Sequence, residues 1–106
     1  MSEADWKKIR RMEEALKNKL FETKLHELRR IIDDPSKTPQ ARYHALHPFI
    51  KTSNDDIDNS FNMRRSNMMM ILFHWRRLKL IQDSDLDQFS DGLSSQVRNL
   101  LSISRG

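Results

Sequence analysis

Residues 2–32 read SEADWKKIRRMEEALKNKLFETKLHELRRII, and this stretch decides the fold. It contains no glycine or proline. It opens with Ser2 three residues before Asp5, a weak form of the capping box, and closes on Asp33-Asp34-Pro35-Ser36-Lys37-Thr38-Pro39. The pattern predicts a single helix over residues 3–32, ~45 Å long at 1.5 Å per residue. A compact chain of this size has a radius of gyration of only ~13 Å and hence a diameter near ~33 Å. The helix must therefore overhang or bend. At 100° per residue Trp6, Ile9, Met12, Leu16 and Leu20 share one face. Phe21, Leu25, Leu28 and Ile32 share another, roughly 120° around. A bend near Phe21 to Thr23 packs both halves on one core. Alternatively, the N-terminal half projects and docks on a second subunit or partner while the C-terminal half stays in the domain.

Downstream, Thr38 followed by Pro39 is an N-cap with proline at the first helical position, which opens a short second helix over 39–47. Pro48 ends or kinks it by removing a backbone donor and crowding the preceding turn. Lys51-Thr52-Ser53-Asn54-Asp55-Asp56 reads as the next loop and cap, and a third helix follows over 54–80. Gln82-Asp83-Ser84-Asp85 caps a fourth over 85–102, with Leu86, Phe89, Leu93, Val97, Leu100 and Leu101 on one stripe. No segment alternates with the period of a strand. The expected fold is all-α: a small four-helix up-and-down bundle with a long, bent or overhanging first helix, residues 1–106 forming a single helical domain.

The third helix carries a complete core stripe (Ile57, Phe61, Met68, Ile71, Leu72, Trp75, Leu78), yet Met70, Phe73 and Leu80 lie nearly opposite. A helix apolar on all sides is usually the central one, wrapped by its neighbours. The sharper reading leaves the Met70, Phe73, Leu80 face open until a partner covers it, a use that methionine suits because its thioether repacks against different shapes.

Composition narrows the function classes. The 106 residues are 37% hydrophobic and 32% charged, with two glycines and no cysteine, so no disulfide scaffold exists. The longest apolar run, Met68 to Phe73, is six residues, against the ~18 a spanning helix needs. Met1 to Asp5 resembles neither a secretory signal nor a transit peptide, which makes a cytoplasmic location the default expectation. The formal charge of +4 keeps nucleic acid in play.

Arginine occurs in adjacent pairs, Arg10-Arg11, Arg29-Arg30, Arg64-Arg65 and Arg76-Arg77. On a continuous third helix Arg65 and Arg76 would align within ~20° and ~16 Å, a spacing that straddles phosphates. With Lys7, Lys8, Arg10 and Arg11 they outline an electrostatic footprint for nucleic acid. Arg64, near the core stripe, is expected to snorkel or find an acidic partner. A helix-turn-helix over Gln40 to Phe61 fails because Pro48 breaks its first helix and Asp55, Asp56 and Asp58 would face phosphates. Glu3, Asp5, Glu13 and Glu14 likewise weaken any attraction of the first helix to an anionic membrane surface.

Enzyme constellations are not apparent. His44 and His47 share a helical face, but no metal-binding carboxylate pattern accompanies them or His26 and His74, and there is no phosphate-cradling glycine loop or nucleophile motif. No catalytic, cofactor or metal residue is assigned, and the chain is not expected to be an enzyme. The expectation is a protein–protein interaction module, self-associating as a homo-oligomer. Its expected contact residues are Trp6, Ile9, Met12 and Leu16 on the first helix and Met70, Phe73 and Leu80 on the third. The alternative is a nucleic-acid-binding regulator using Arg10, Arg11, Arg65, Arg76 and Arg77.

Overall fold

The computed structural model describes residues 2–105 as four α-helices and two short 3-10 segments. The chain is an all-α helical bundle with a long first helix, 83% helical and without strands among the described residues. The first helix, α1, spans Glu3–Ile32 as the cap and punctuation predict; the Ser2 hydroxyl accepts the Asp5 N–H at 3.1 Å.

The second helix, α2, spans Pro39–Ser60, with Thr38 capping the Ala41 N–H at 3.1 Å. It runs straight through Pro48, which corrects the expected end at 47 and the expected loop at 51–56. Proline removes a single N–H, the partner of the His44 carbonyl, and His44 is exposed, so that carbonyl can turn to water. The polar residues downstream are absorbed into the helix. Thr52 returns its hydroxyl to the Pro48 carbonyl at 3.0 Å, and Asp56 accepts from Lys24 of α1 at 2.9 Å. The helix thereby lies antiparallel along α1 as a hairpin.

The real interruption falls at Phe61–Asn67, inside the expected third helix. Asn62 and Asn67 divert the backbone there: the Asn62 carbonyl accepts from the Arg64 N–H at 2.9 Å and from the Asn67 side chain at 3.2 Å. After the 3-10 segment Arg65–Asn67 comes α3, Met68–Arg77, much shorter than the expected 54–80. Met68, Ile71, Leu72, Phe73 and Trp75 are all buried in it, as befits the central helix. It ends in a Schellman turn, with the Leu80 N–H on the Trp75 carbonyl (2.8 Å) and the Lys79 N–H on the Arg76 carbonyl (3.1 Å). Lys79 sits at φ 61°, a left-handed conformation that costs a side-chain-bearing residue ~1 kcal/mol. Lys79→Gly is expected to raise stability by about 0.5–1 kcal/mol in urea unfolding; a loss of stability would show that the lysine side chain has a compensating role.

A second 3-10 segment, Asp83–Gln88, takes the place of the expected start of the fourth helix, and α4 runs Asp91–Arg105. The expected stripe survives the break: Leu86, Phe89, Leu93, Val97 and Leu101 are buried and Leu100 packs beside them. One cluster joins these residues to α3 and to Trp6, Ile9 and Leu20 of α1. From Phe21 to Ile50 no hydrophobic side chain belongs to that cluster or packs against it. The molecule accordingly has a head, made of the first two-thirds of α1, the end of α2, α3 and α4, and an arm, the distal α1–α2 hairpin. Its extents are 51 × 31 × 21 Å and its radius of gyration is 16.4 Å, against ~13 Å for a compact chain of this length.

Candidate interaction surfaces

The first expected surface is taken up by the head. Trp6 and Ile9 are buried, Met12 and Leu16 are half-buried against the core, and Phe73 and Leu80 are buried. Met70 is the most exposed of these residues, at 36%. The apolar faces predicted to lie open are thus covered within one copy. The cause is the seating of α1: Asp5, itself buried, accepts hydrogen bonds from the Ser90 backbone N–H at 2.9 Å and the Ser90 hydroxyl at 2.5 Å, just before α4 begins. Lys8 donates to the Gln88 carbonyl and Lys19 to the Leu80 carbonyl at 3.3 Å. The N-terminal half of α1 is held down along its length, and the half that overhangs is the C-terminal one.

The arm is where large hydrophobic residues meet solvent. Phe21, Leu25 and Ile32 on α1 and Tyr43 and Ile50 on α2 are exposed. They lie on one side of the hairpin. Near the head, Phe21 and Ile57 line a common hollow with Lys17 and Phe61; at the tip, Ile32, Tyr43 and Leu46 line another with Pro39 and Arg42. Leu25 and Ile50 fall between these two ends along their helices. The opposite side of the hairpin is more polar: Lys24 approaches the Phe49 ring to 5.8 Å while bridging to Asp56, and Glu27, Arg30, Asp33 and Asp34 border Phe49 there. Two helices side by side have nothing beneath their apolar face, a state that isolated hairpins hold poorly.

Of the five arginines singled out for nucleic acid, three lie together and two lie apart. Arg10, Arg11 and Arg65 come together with Lys7 and Glu3 around Trp6, lining a shallow hollow of about 470 Å³. The Arg10 and Arg65 guanidinium groups lie 5.9 and 5.6 Å from the Trp6 ring centre. Arg65 holds Glu3 through two hydrogen bonds of 3.1 and 3.0 Å, which keep the Glu3 carboxyl below its usual range and raise the Arg65 guanidinium above its own. Arg76 and Arg77 do not join them. Arg65 precedes α3 instead of sharing a helix with Arg76, so the expected alignment does not exist. Arg76 is bound to Asp83 at 2.7 Å and Arg77 lies over Phe73 at 5.5 Å. Arg64 stands exposed in the break before α3, so it needs neither to snorkel nor to pair.

His44 meets Tyr43 edge-on at 5.5 Å on the exposed face of α2. Among the described residues no group of three or more His, Asp or Glu side chains is placed to hold a metal ion, and no helix is long and apolar enough to cross a membrane. No family model, no curated protein and no solved structure matches the chain.

Proposed function

We propose that this chain is a helical protein–protein interaction module that self-associates through its arm. One observation carries the reading: thirty residues from Phe21 to Ile50 contribute nothing to the buried core, while their hairpin turns five large hydrophobic side chains toward solvent. A two-helix layer about 20 Å wide and ~25 Å long offers about 500 Å² per copy, so a pair of arms would bury on the order of 1,000 Å². That is the lower end of the range for a specific interface, the size class of weak, transient association. The charges suit a second copy, because Glu22 and Glu27 alternate with Lys24, Arg29 and Arg30 along α1 in place of a single sign.

Light scattering from a few micromolar to ~0.5 mM is expected to rise from the mass of one 12.7 kDa chain toward twice that value. Leu25 and Ile50 are 47% and 43% exposed in one copy. Leu25→Ser with Ile50→Ser is therefore expected to leave the unfolding midpoint of the monomer in place and to weaken association roughly 100-fold or more, since each change counts twice across a two-fold. A wild-type chain that stays monomeric at ~0.5 mM refutes the reading.

The gathering of Arg10, Arg11 and Arg65 around Trp6 supports a second reading, contact with nucleic-acid phosphates. With Arg65 already paired to Glu3, Lys7, Arg10 and Arg11 are the cations left to neutralise about three phosphates, which gives a log–log salt slope near −3. Mixed-sequence DNA is expected to show that slope, reduced by about one for Arg11→Ala; no binding at 50 mM salt would dismiss it.

A further inference from the structure

Resting on the self-association reading, the geometry points to one arrangement: two arms pair with α1 antiparallel to α1 of a second copy, about a two-fold axis between His26 and Glu27. Phe21, Leu25, Leu28 and Ile32 are spaced four, three and four residues apart, the d-a-d-a pattern of a two-helix seam. In an antiparallel pair centred there, Phe21 packs opposite Ile32 of the second copy and Leu25 opposite its Leu28. The flanking positions then decide orientation. Glu22 and Arg29 occupy the outer flank, 3.9 Å from one another in one copy and both largely exposed, whereas Lys24 occupies the inner flank and is engaged by Asp56 of α2.

Antiparallel pairing brings outer flank against outer flank. Glu22 of each copy meets Arg29 of the other, giving two cross-chain ion pairs by symmetry. Parallel pairing brings the inner flank of one copy against the outer flank of the other, setting Lys24 against Arg29. That contact is between like charges, and it would have to form on the side α2 already covers. Ile50 of α2, near the same level as the axis, continues the apolar layer. Both heads then lie at opposite ends of the assembly, beyond the shared arms.

The chain has no cysteine, so Glu14→Cys, at an exposed position of the head half of α1, carries a single spin label. Glu14 lies 12.5 residues from the axis, so antiparallel pairing separates two labels by about 40 Å along the helices. Parallel pairing would hold them about 10–20 Å apart. A dipolar distance near 40 Å in a sample shown by light scattering to be dimeric is the result expected. Glu22→Arg and Arg29→Glu are each expected to weaken association about tenfold, and their combination to restore it to within about threefold. A short distance in a proven dimer, or a combined variant as weak as the singles, overturns the antiparallel register while leaving self-association standing. A strictly monomeric wild type overturns both.

Discussion

Trp75→Ala is expected to cost about 4–6 kcal/mol and to leave little folded head at 37 °C. Trp75 is the largest side chain without solvent exposure, and its indole N–H donates to the Ser60 carbonyl at 2.8 Å while its ring packs 5.7 Å from that of Phe61. Emptying a cavity of that size costs about 3–5 kcal/mol, and the carbonyl left without its donor adds about 1 kcal/mol or more. A chain of this length is stable by only about 5–15 kcal/mol in all. The consequence is a fall of roughly 20 °C or more in the unfolding midpoint followed by far-ultraviolet circular dichroism. Trp75→Phe, which keeps most of the volume but loses the donor, is expected to cost about 1–3 kcal/mol. Ser60→Ala is a control at the same place: its hydroxyl is buried without a hydrogen-bond partner, so its removal is neutral or mildly stabilising. An alanine variant that melts within about 5 °C of wild type would mean that α3 is not the axis of the head.

How far the sequence reveals this arrangement depends on the kind of signal. The ends of α1 are legible because Ser2 and the run from Asp33 to Pro39 act locally, through capping and through the proline constraint on backbone angles. The same local signals mislead at Pro48 and at Thr52–Asp56. There the return path of α2 along α1 outweighs one lost hydrogen bond; Thr52 is satisfied by the Pro48 carbonyl and Asp56 by Lys24, while the Ser53 hydroxyl is buried without a hydrogen-bond partner. The break before α3 is announced by Asn59, Asn62, Ser66 and Asn67, weaker breakers than proline but dense enough to divert the chain. The end of α3 has no glycine to mark it, because Lys79 takes the left-handed position. Surface assignment fails for a different reason. Periodicity correctly gives α1 two apolar stripes 120° apart and α3 an apolar circumference, and length correctly demands an overhang. Which stripe is covered depends on contacts with α4, above all the Asp5–Ser90 pairing, which lie eighty-five residues away in sequence.

That pairing is the second place where a single change should have a large effect. Asp5 is a carboxylate with almost no solvent exposure and, among the described residues, no cationic partner in hydrogen-bonding distance; it is held by the Ser90 N–H and hydroxyl at the start of α4, where the helix dipole favours negative charge. Burial alone would push its pKa up, but the two Ser90 bonds together with those from Ser2 outweigh it and hold the carboxyl below the usual range. Because the folded pKa lies under the unfolded one, near 3.9, the stabilisation is complete above that unfolded value and disappears as pH falls through the folded one. Asp5→Ala is expected to cost about 2–4 kcal/mol at neutral pH, since it strips two donors at a buried junction of their acceptor. Asp5→Asn keeps the shape and one acceptor and should cost about 1–2 kcal/mol, while flattening the acid limb of the stability profile below about pH 4. Glu3 and Asp34 also have lowered pKa values and titrate in that window, so the diagnostic quantity is the difference between wild type and Asp5→Asn measured by urea unfolding from pH 2.5 to 7. An unchanged acid limb would place the acid sensitivity in those exposed carboxylates.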